Sequence, residues 1–470
     1  MAQVLTPLDA AFLSIESPGV HMNVGGISIF DPSTRPGGTL TFEQYRRRLL
    51  SRLERLPRLR QRLSQDPFGL GPIRWVHDAA FDPDLHLIHD ALPTPGGERE
   101  LNELAGWIMS SPMERDRPLW ENHFVDGLGG GRVAVIMKAH HAMEDGLAGL
   151  RQTEIVFDDD PDPSGSWHPH PSPAVPARGG VQKLVDRVLN VPIPGATAHT
   201  VGTAVSATAG LADFLSAGVF APATPFNGTL GDDRAVATWS APLAVAREIH
   251  HRLGVSFNDV VLAITAGGLR RYFLRRGLQP PERVRVMVPV STRLGGVEAF
   301  GNSVSAFLLD LDLGRRSAVD TARRVSADAH RGRTRDEIVA LALAEELNGL
   351  LAPPLQRVAS RMLVANRLFN LVVSEVRGLE RPLHLLGARH LASYPLMPLA
   401  PGSGLSIAVL TMGGVLGLAV TCEPRLLPEP EMLVEAIADA FRELRLEAGV
   451  GGGRPARRGT FGTRAATANL

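Results

Sequence analysis

The sequence contains a single cysteine, Cys422, in 470 residues. A disulfide within the chain is therefore excluded, and so is a metal site built from cysteines. Lysine is almost as rare. Lys138 and Lys183 are the only lysines, and all other basic residues counted with them are arginines. The first residues lack a basic segment followed by an apolar one, so we expect no signal peptide and a reducing, cytoplasmic setting.

Long apolar runs are also missing. No stretch reaches the roughly 18 uninterrupted apolar residues that indicate a membrane-spanning helix. The nearest candidate, residues 201–220, is rich in small residues and contains Asp213. Lys+Arg and Asp+Glu are equal at 49 each, so no global field would attract nucleic acid. The length and the 44% of hydrophobic residues predict a globular chain with about two or three domains' worth of core.

Two structured regions flank a proline-rich segment. Residues 1–157 form the first region, in which the apolar pattern predicts helices at 42–63 and 98–109 and strands at 119–125 and 133–137. A glycine-rich turn separates these two strands, which predicts a hairpin. Residues 158–231 combine a linker, rich in Asp and Pro, with small-residue helices.

The second structured region, residues 232–448, alternates helices and strands. Helices are predicted at 258–276, 318–351 and 429–446. Strands are predicted at 284–288, 304–311, 371–376, 405–410 and 415–420. Residues 449–470 have no apolar period, and we expect a disordered tail. The overall prediction is an α/β fold.

The segment His140-His141-Ala142-Met143-Glu144-Asp145-Gly146 follows the predicted strand at 133–137. We call residues 140–146 the HHxxxDG motif. Neighbouring side chains on a strand point to opposite faces, so we expect one histidine to face a cleft and the other to pack inside. A structural histidine pair is the plain alternative. A metal site would need a third ligand, and none is obvious nearby in the sequence.

Together with other segments, this motif resembles the bacterial wax ester synthase/diacylglycerol acyltransferase family. That family is related in fold to coenzyme A-dependent acyltransferases of the chloramphenicol acetyltransferase type. The resemblance implies two similar halves, joined by the crossover at 158–180, with the active site in a channel between them. The segments that carry it, besides the HHxxxDG motif, are residues 5–13, Pro118-Leu119-Trp120, Asn258-Asp259, residues 289–293 and Gly301-Asn302.

The resemblance implies a general-base reaction. His141 would take the proton from an alcohol that attacks an acyl thioester, for which imidazole is suited by its near-neutral pKa. Acyl-CoA is then a co-substrate, and no permanently bound cofactor or acyl-enzyme is required. The implied product is triacylglycerol from diacylglycerol, or wax ester from a fatty alcohol. A carrier-protein-dependent acyltransferase or condensation-type enzyme and a catalytically weak lipid-binding paralogue remain alternatives.

The other motif residues have two interpretations each. Asp145 either orients His141 or pairs with an arginine to hold the loop. Asn258 is either an oxyanion donor or the N-cap of the following helix. Arg293 either binds a coenzyme A phosphate or forms an ordinary ion pair. Structural roles are expected for His140, Gly146, Pro118, Leu119, Trp120 and Asp259.

One segment departs from the family pattern. Residues 374–379 read Ser-Glu-Val-Arg-Gly-Leu where the family usually has Asn-Val-Pro-Gly-Pro. Glu375 and Arg377 therefore introduce charges, and we expect them to restrict the acceptor. Lipid substrates without a spanning helix also predict peripheral attachment to membranes or lipid droplets, with residues 198–220 as the contact.

Overall fold

The computed structural model describes residues 3–65, 71–143, 146–158, 221–291, 304–334 and 368–451. The described helices are α1 (Pro7–Ile15), α2 (Phe42–Arg52), α3 (Glu98–Ser110), α4 (Gly146–Val156), α5 (Leu243–Leu253), α6 (Phe257–Arg275), α7 (Ala318–Thr334) and α8 (Pro430–Glu447). The described strands are β1 (Gln3–Val4), β2 (Asn23–Asp31), β3 (Gln61–Ser64), β4 (Arg74–His77), β5 (Leu87–Ala91), β6 (Trp120–Leu128), β7 (Arg132–His140), β8 (Ala235–Pro242), β9 (Arg283–Ser291), β10 (Val304–Asp312), β11 (Leu371–Arg377), β12 (His384–Leu385), β13 (Ala388–Leu396), β14 (Leu405–Met412) and β15 (Val415–Cys422).

Two six-stranded mixed sheets form the framework, and the predicted α/β class is confirmed. The first sheet has the order β12-β13-β2-β7-β6-β5, and the second has the order β10-β9-β11-β14-β15-β8. A small sheet with the order β1-β4-β3 accompanies them. In the first sheet β6 and β7 pair antiparallel, which confirms the predicted hairpin.

The strand β7 is buried on both faces, as its continuous apolar run leads one to expect. Val133 and Val135 belong to a hydrophobic cluster on one side of the first sheet. Ala134 and Ile136 belong to a second cluster on the other side, together with the apolar face of α3. The end of β7 is therefore held in a rigid position.

The helix α6 is buried along most of its length between the second sheet and α8. Gly268 permits the close approach of the two helices, because a Cβ there would lie 2.3 Å from Cγ1 of Ile437. Such a helix is apolar nearly all round, since neighbours cover every face.

One strand joins the two halves. β13 belongs to the second region in sequence but pairs antiparallel with β2 in the first sheet, where the hydroxyls of Ser28 and Ser393 are 2.8 Å apart. Its backbone also contacts β15, since a Cβ on Gly417 would lie 1.9 Å from the carbonyl oxygen of Ser393. The predicted domain boundary at 231/232 stays a prediction. Residues 384–396, which follow this boundary, form part of the first sheet, where β13 pairs with β2.

The predicted helix at 42–63 is wrong beyond Arg52. The helix α2 ends there, and two 3₁₀ turns, Leu53–Arg55 and Pro57–Arg60, lead into β3. Pro57 explains this end, because the residue before a proline is forced out of the helical region, and Leu56 has φ −121° and ψ 61°.

Several predicted segments lie outside the described residues. They are the linker from 159 to 180, the proposed membrane contact at 198–220, the end of the helix predicted at 318–351, and the tail from 452 to 470. Asp158, where the linker was predicted to begin, is described and forms a β-bridge with His384. Its carboxylate forms an ion pair with Arg48 of α2.

Candidate active site

The Pro-Leu-Trp segment supports the end of β7 from the neighbouring strand. Leu119 is fully buried, and its carbonyl accepts the N–H of His140 at 3.0 Å. Trp120 is buried, donates its Nε1–H to the carbonyl of Leu59 at 2.8 Å and stacks on His86. Pro118 accepts the N–H of Trp120 through its carbonyl. These contacts are packing and hydrogen bonds of the framework.

His140, the last residue of β7, is 1% exposed. Its Nδ1 accepts the N–H of Ala142 at 3.0 Å. The ring proton of the neutral form therefore sits on Nε2, which lies 3.1 Å from Oε1 of Glu16. A buried histidine with both nitrogens engaged in this way holds the turn that follows β7.

Glu16 contacts the motif, which the sequence did not reveal. It follows α1 and accepts the N–H of Met22 at 2.9 Å and a guanidinium N–H of Arg115 at 2.7 Å. Burial alone would raise the pKa of Glu16, but the contacts with His140, Arg115 and the Met22 backbone lower it to about 2. Its carboxylate is therefore charged throughout the physiological range.

His141 is half-buried and lies one residue beyond β7. Its N–H donates to the carbonyl of Met22 at 2.7 Å. Its ring stacks on Phe12 of α1, with centroids 4.0 Å apart and an angle of 12° between the planes. The structure thus gives the two histidines different surroundings, a carboxylate for His140 and an aromatic face for His141.

The remainder of the HHxxxDG motif leads into α4. Asp145 lies outside the described residues, and its two interpretations stay open. Gly146 is the first residue of α4. This helix contacts the second region, because a Cβ on Gly378 would lie 3.3 Å from Cδ2 of Leu150 and 2.5 Å from the carbonyl oxygen of Thr411. The altered segment 374–379 therefore ends against the helix that follows the motif.

The Asn-Asp pair begins α6, and the N-cap interpretation of Asn258 is wrong. The N-cap is Ser256, whose Oγ accepts the N–H of Asp259 at 3.1 Å, while Oδ2 of Asp259 accepts the N–H of Ser256 at 2.8 Å. This capping box makes Asp259 a structural residue. Asn258 lies in the first turn and is 9% exposed.

The altered segment contains an ion pair. Nε of Arg377 lies 3.1 Å from Oε1 of Glu375, and the two side chains are 60% and 9% exposed. The pKa of His250 is lowered by burial, by His251 and also by Arg377, so Arg377 lies near His250. The His250 ring is 6.2 Å from that of Phe257, the first residue of α6.

Arg293, Gly301 and Asn302 lie outside the described residues, and the role of Arg293 stays open. Within the described ranges, no group of three His, Cys, Asp or Glu side chains is arranged to hold a metal ion. Among the helices given above, none combines the length and apolar character needed to cross a bilayer.

Comparison with known proteins agrees with this geometry. Residues 5–261 match the model of the wax ester synthase/diacylglycerol acyltransferase catalytic domain, and residues 300–445 match the WS/DGAT C-terminal domain. A Mycobacterium tuberculosis protein assigned as a diacylglycerol O-acyltransferase is 30% identical over 459 residues, or 94% of this chain and 89% of that protein. A Mycobacterium bovis protein with the same assignment is 31% identical over 461 residues, or 95% of this chain and 100% of that protein.

Solved structures extend the comparison to three dimensions. The wax ester synthase/diacylglycerol acyltransferase from Marinobacter aquaeolei VT8 has a TM-score of 0.71 at 25% identity and covers 95% of this chain and 100% of its own. The first condensation domain of the CDA synthetase shares the fold, with a TM-score of 0.59 at 18% identity over 98% of both chains. The chain belongs to the wax ester synthase/diacylglycerol acyltransferase family.

Proposed function

We propose that this protein transfers a long-chain fatty acyl group from acyl-CoA to the hydroxyl of a lipid alcohol. Diacylglycerol, giving triacylglycerol, is the first acceptor, and a long-chain fatty alcohol, giving wax ester, is the second. Family membership and the names of the relatives support this reaction. The observation that carries the site assignment is half-buried His141, one residue beyond the end of β7, whose ring stacks on Phe12.

In the proposed reaction His141 is the general base. Its neutral imidazole removes the proton from the acceptor hydroxyl as the oxygen attacks the thioester carbonyl. The tetrahedral intermediate expels the coenzyme A thiolate, and the imidazolium returns the proton to the sulfur. Asn258 is proposed to donate a hydrogen bond to the oxyanion, a role that its position in the first turn of α6 leaves open.

The different surroundings of the two histidines support this choice. His140 already uses both ring nitrogens, Nδ1 with the N–H of Ala142 and Nε2 with Glu16. A proton acceptor needs a nitrogen lone pair within reach of the substrate. His140 is almost fully buried, whereas His141 is half-buried, and this difference supports His141 as the base.

Acyl transfer to defined acceptors tests the function. Purified protein is incubated with ¹⁴C-palmitoyl-CoA and either diacylglycerol, hexadecanol or buffer, and the lipid products are separated. Labelled triacylglycerol or wax ester, dependent on the acceptor, is the expected result. A palmitoyl group attached to a phosphopantetheine carrier protein serves as the competing donor. Transfer from the carrier protein alone would show that the acyl donor is a carrier-bound acyl group and not acyl-CoA. Binding of palmitoyl-CoA without transfer would identify a lipid-binding paralogue.

We also propose that the protein meets its lipid acceptor by peripheral attachment to a membrane or lipid-droplet surface. The lipid nature of the proposed acceptor supports this location. Membranes from cells that make the protein are washed with alkaline carbonate, which releases peripheral proteins. Recovery of the protein in the wash is expected, and retention in the membrane pellet would reject peripheral attachment.

A further inference from the structure

The helix α1 and the residue that follows it contact both histidines of the HHxxxDG motif. Phe12, within α1, stacks on the ring of His141. Glu16, the C-cap residue of α1, faces the ring of His140. Phe12 and Glu16, four residues apart near the N-terminus, therefore contact His141 and His140, respectively.

The Glu16 carboxylate is linked to the backbone on both sides of the His141 side chain. Its Oε1 accepts the N–H of Met22 at 2.9 Å, and the carbonyl of Met22 accepts the N–H of His141 at 2.7 Å. The same oxygen lies 3.1 Å from Nε2 of His140, whose Nδ1 accepts the N–H of Ala142 at 3.0 Å. The backbone N–H groups of His141 and Ala142 are thus connected to the Glu16 carboxylate, the first through Met22 and the second through His140.

We propose that Glu16 is a positioning residue for acyl transfer, which acts through Met22 and His140 to hold the ring of His141 at the acceptor hydroxyl. This inference rests on the proposed function, in which His141 is the general base. A misplacement of about 1 Å in a reacting group can reduce the rate about 10²-fold. Arg115 holds the other carboxylate oxygen at 2.7 Å, so the clamp itself has a fixed orientation.

A second carboxylate–histidine pair in the same sheet supplies a matched control. Oδ2 of Asp90 lies 2.8 Å from Nδ1 of His123, and these side chains are 21% and 4% exposed. Glu16 and His140 are 17% and 2% exposed, so the two pairs are equally sheltered from water. Neither Asp90 nor His123 contacts residues 140–142 in any hydrogen bond or ion pair described here. Loss of the Asp90 carboxylate therefore measures the effect of removing a sheltered histidine partner, whereas only loss of the Glu16 carboxylate should affect His141.

The experiment compares Glu16→Gln with Asp90→Asn in the full-length protein. Steady-state acyl transfer gives kcat and KM for palmitoyl-CoA, thermal unfolding gives Tm, and mass spectrometry follows the rate at which diethyl pyrocarbonate modifies His141. For Glu16→Gln we expect kcat to fall about 10- to 100-fold with an unchanged KM, and His141 to be modified at a different rate from the wild type. For Asp90→Asn we expect a loss of Tm, with the kcat and the His141 modification rate of the wild type.

Two outcomes would overturn the inference. One is a Glu16→Gln protein with wild-type kcat, and the other is an equal loss of kcat in both variants at equal loss of Tm, which indicates a structural role alone. If the wild type transfers no acyl group, the proposed function fails, and an unchanged modification rate of His141 in Glu16→Gln then rejects the positioning role independently. Should Glu16→Gln not fold, Arg115→Gln replaces it, because Arg115 fixes the orientation of the Glu16 carboxylate. We expect this variant to lower kcat with an unchanged KM, and wild-type kcat in it rejects the clamp.

Discussion

At the scale of single residues, the two adjacent histidines differ in what their loss would leave behind. Removing the His140 ring leaves the carboxylate of Glu16 and the N–H of Ala142 without a shared partner in a buried place. Removing the His141 ring takes away a stacking contact with Phe12 and the proposed base. The first loss acts on stability, and the second acts on chemistry.

We therefore expect His140→Ala to lower the free energy of unfolding by about 1–3 kcal/mol, the cost of buried groups that lose a hydrogen-bond partner. We expect His141→Ala to reduce turnover by about 10² to 10⁴ with a small change in stability, because general-base catalysis is worth that factor. Turnover and denaturant unfolding of both variants provide the measurement, with His251→Ala, an exposed histidine of α5, as the control. An active His141→Ala beside an inactive, stable His140→Ala would reverse the assignment.

At the scale of elements, the end of β11 combines an ion pair with contacts to the motif helix. Glu375 is nearly buried, and Arg377 at the end of the strand reaches back to it. Gly378, the next residue, contacts Leu150 of α4 and Thr411 of β14. We expect a charged pair at this junction of the two halves to disfavour a wholly apolar acceptor, because desolvating a charge is costly.

We expect the double variant Glu375→Asn, Arg377→Pro to raise turnover and to widen the acceptor range towards apolar alcohols. The single variant Arg377→Pro should instead lower the free energy of unfolding, roughly by 1–3 kcal/mol, because Glu375 loses its guanidinium partner. Transfer rates to diacylglycerol and hexadecanol, with Tm for each variant, distinguish the two effects. Identical rates and acceptor preference in the double variant and the wild type would show that this segment has a structural role only.

At the scale of the whole molecule, the two halves are joined by β13, and a buried histidine lies at this junction. Nε2 of His390 is 2.7 Å from the hydroxyl of Ser393, and its ring meets the edge of Phe30 in the first sheet. A Cβ on Gly413, in the turn between β14 and β15, would lie 3.0 Å from Nδ1 of His390. The ring is therefore packed between strands of both sheets.

Burial lowers the pKa of His390 to about 4, well below the 6.5 of a free imidazole. The unfolded chain then binds more protons than the folded one between these values, so stability is present above pH 6.5 and is lost as the pH falls towards 4. The loss should be on the order of 3 kcal/mol, at about 1.36 kcal/mol for each pKa unit. Urea unfolding of the wild type and of His390→Gln at a series of pH values measures it. A His390→Gln protein with the same slope in this window would show that another group is responsible.

The local pattern of the sequence was sufficient for many elements. The β6–β7 hairpin, α3, α6 and the strands β9, β14 and β15 were predicted to within a few residues, because continuous apolar runs and turn residues mark them locally. The strand β2 was missed, since Gly25 and Gly26 weaken its apolar pattern. Its position depends on β7, because a Cβ on Gly25 would lie 2.1 Å from the carbonyl oxygen of Met137.

By itself, the sequence determined the α/β class and the HHxxxDG motif at a strand end, because both depend on residues that are near one another in the chain. The tertiary structure alone decided that Glu16 and Phe12 contact the two histidines, and that β13 pairs with β2 across the halves. Nothing in the local pattern around Glu16 distinguishes it from a surface carboxylate. Its partner His140 lies on β7, far away in sequence, and only the docking of α1 beside β7 brings the Glu16 charge to that buried ring.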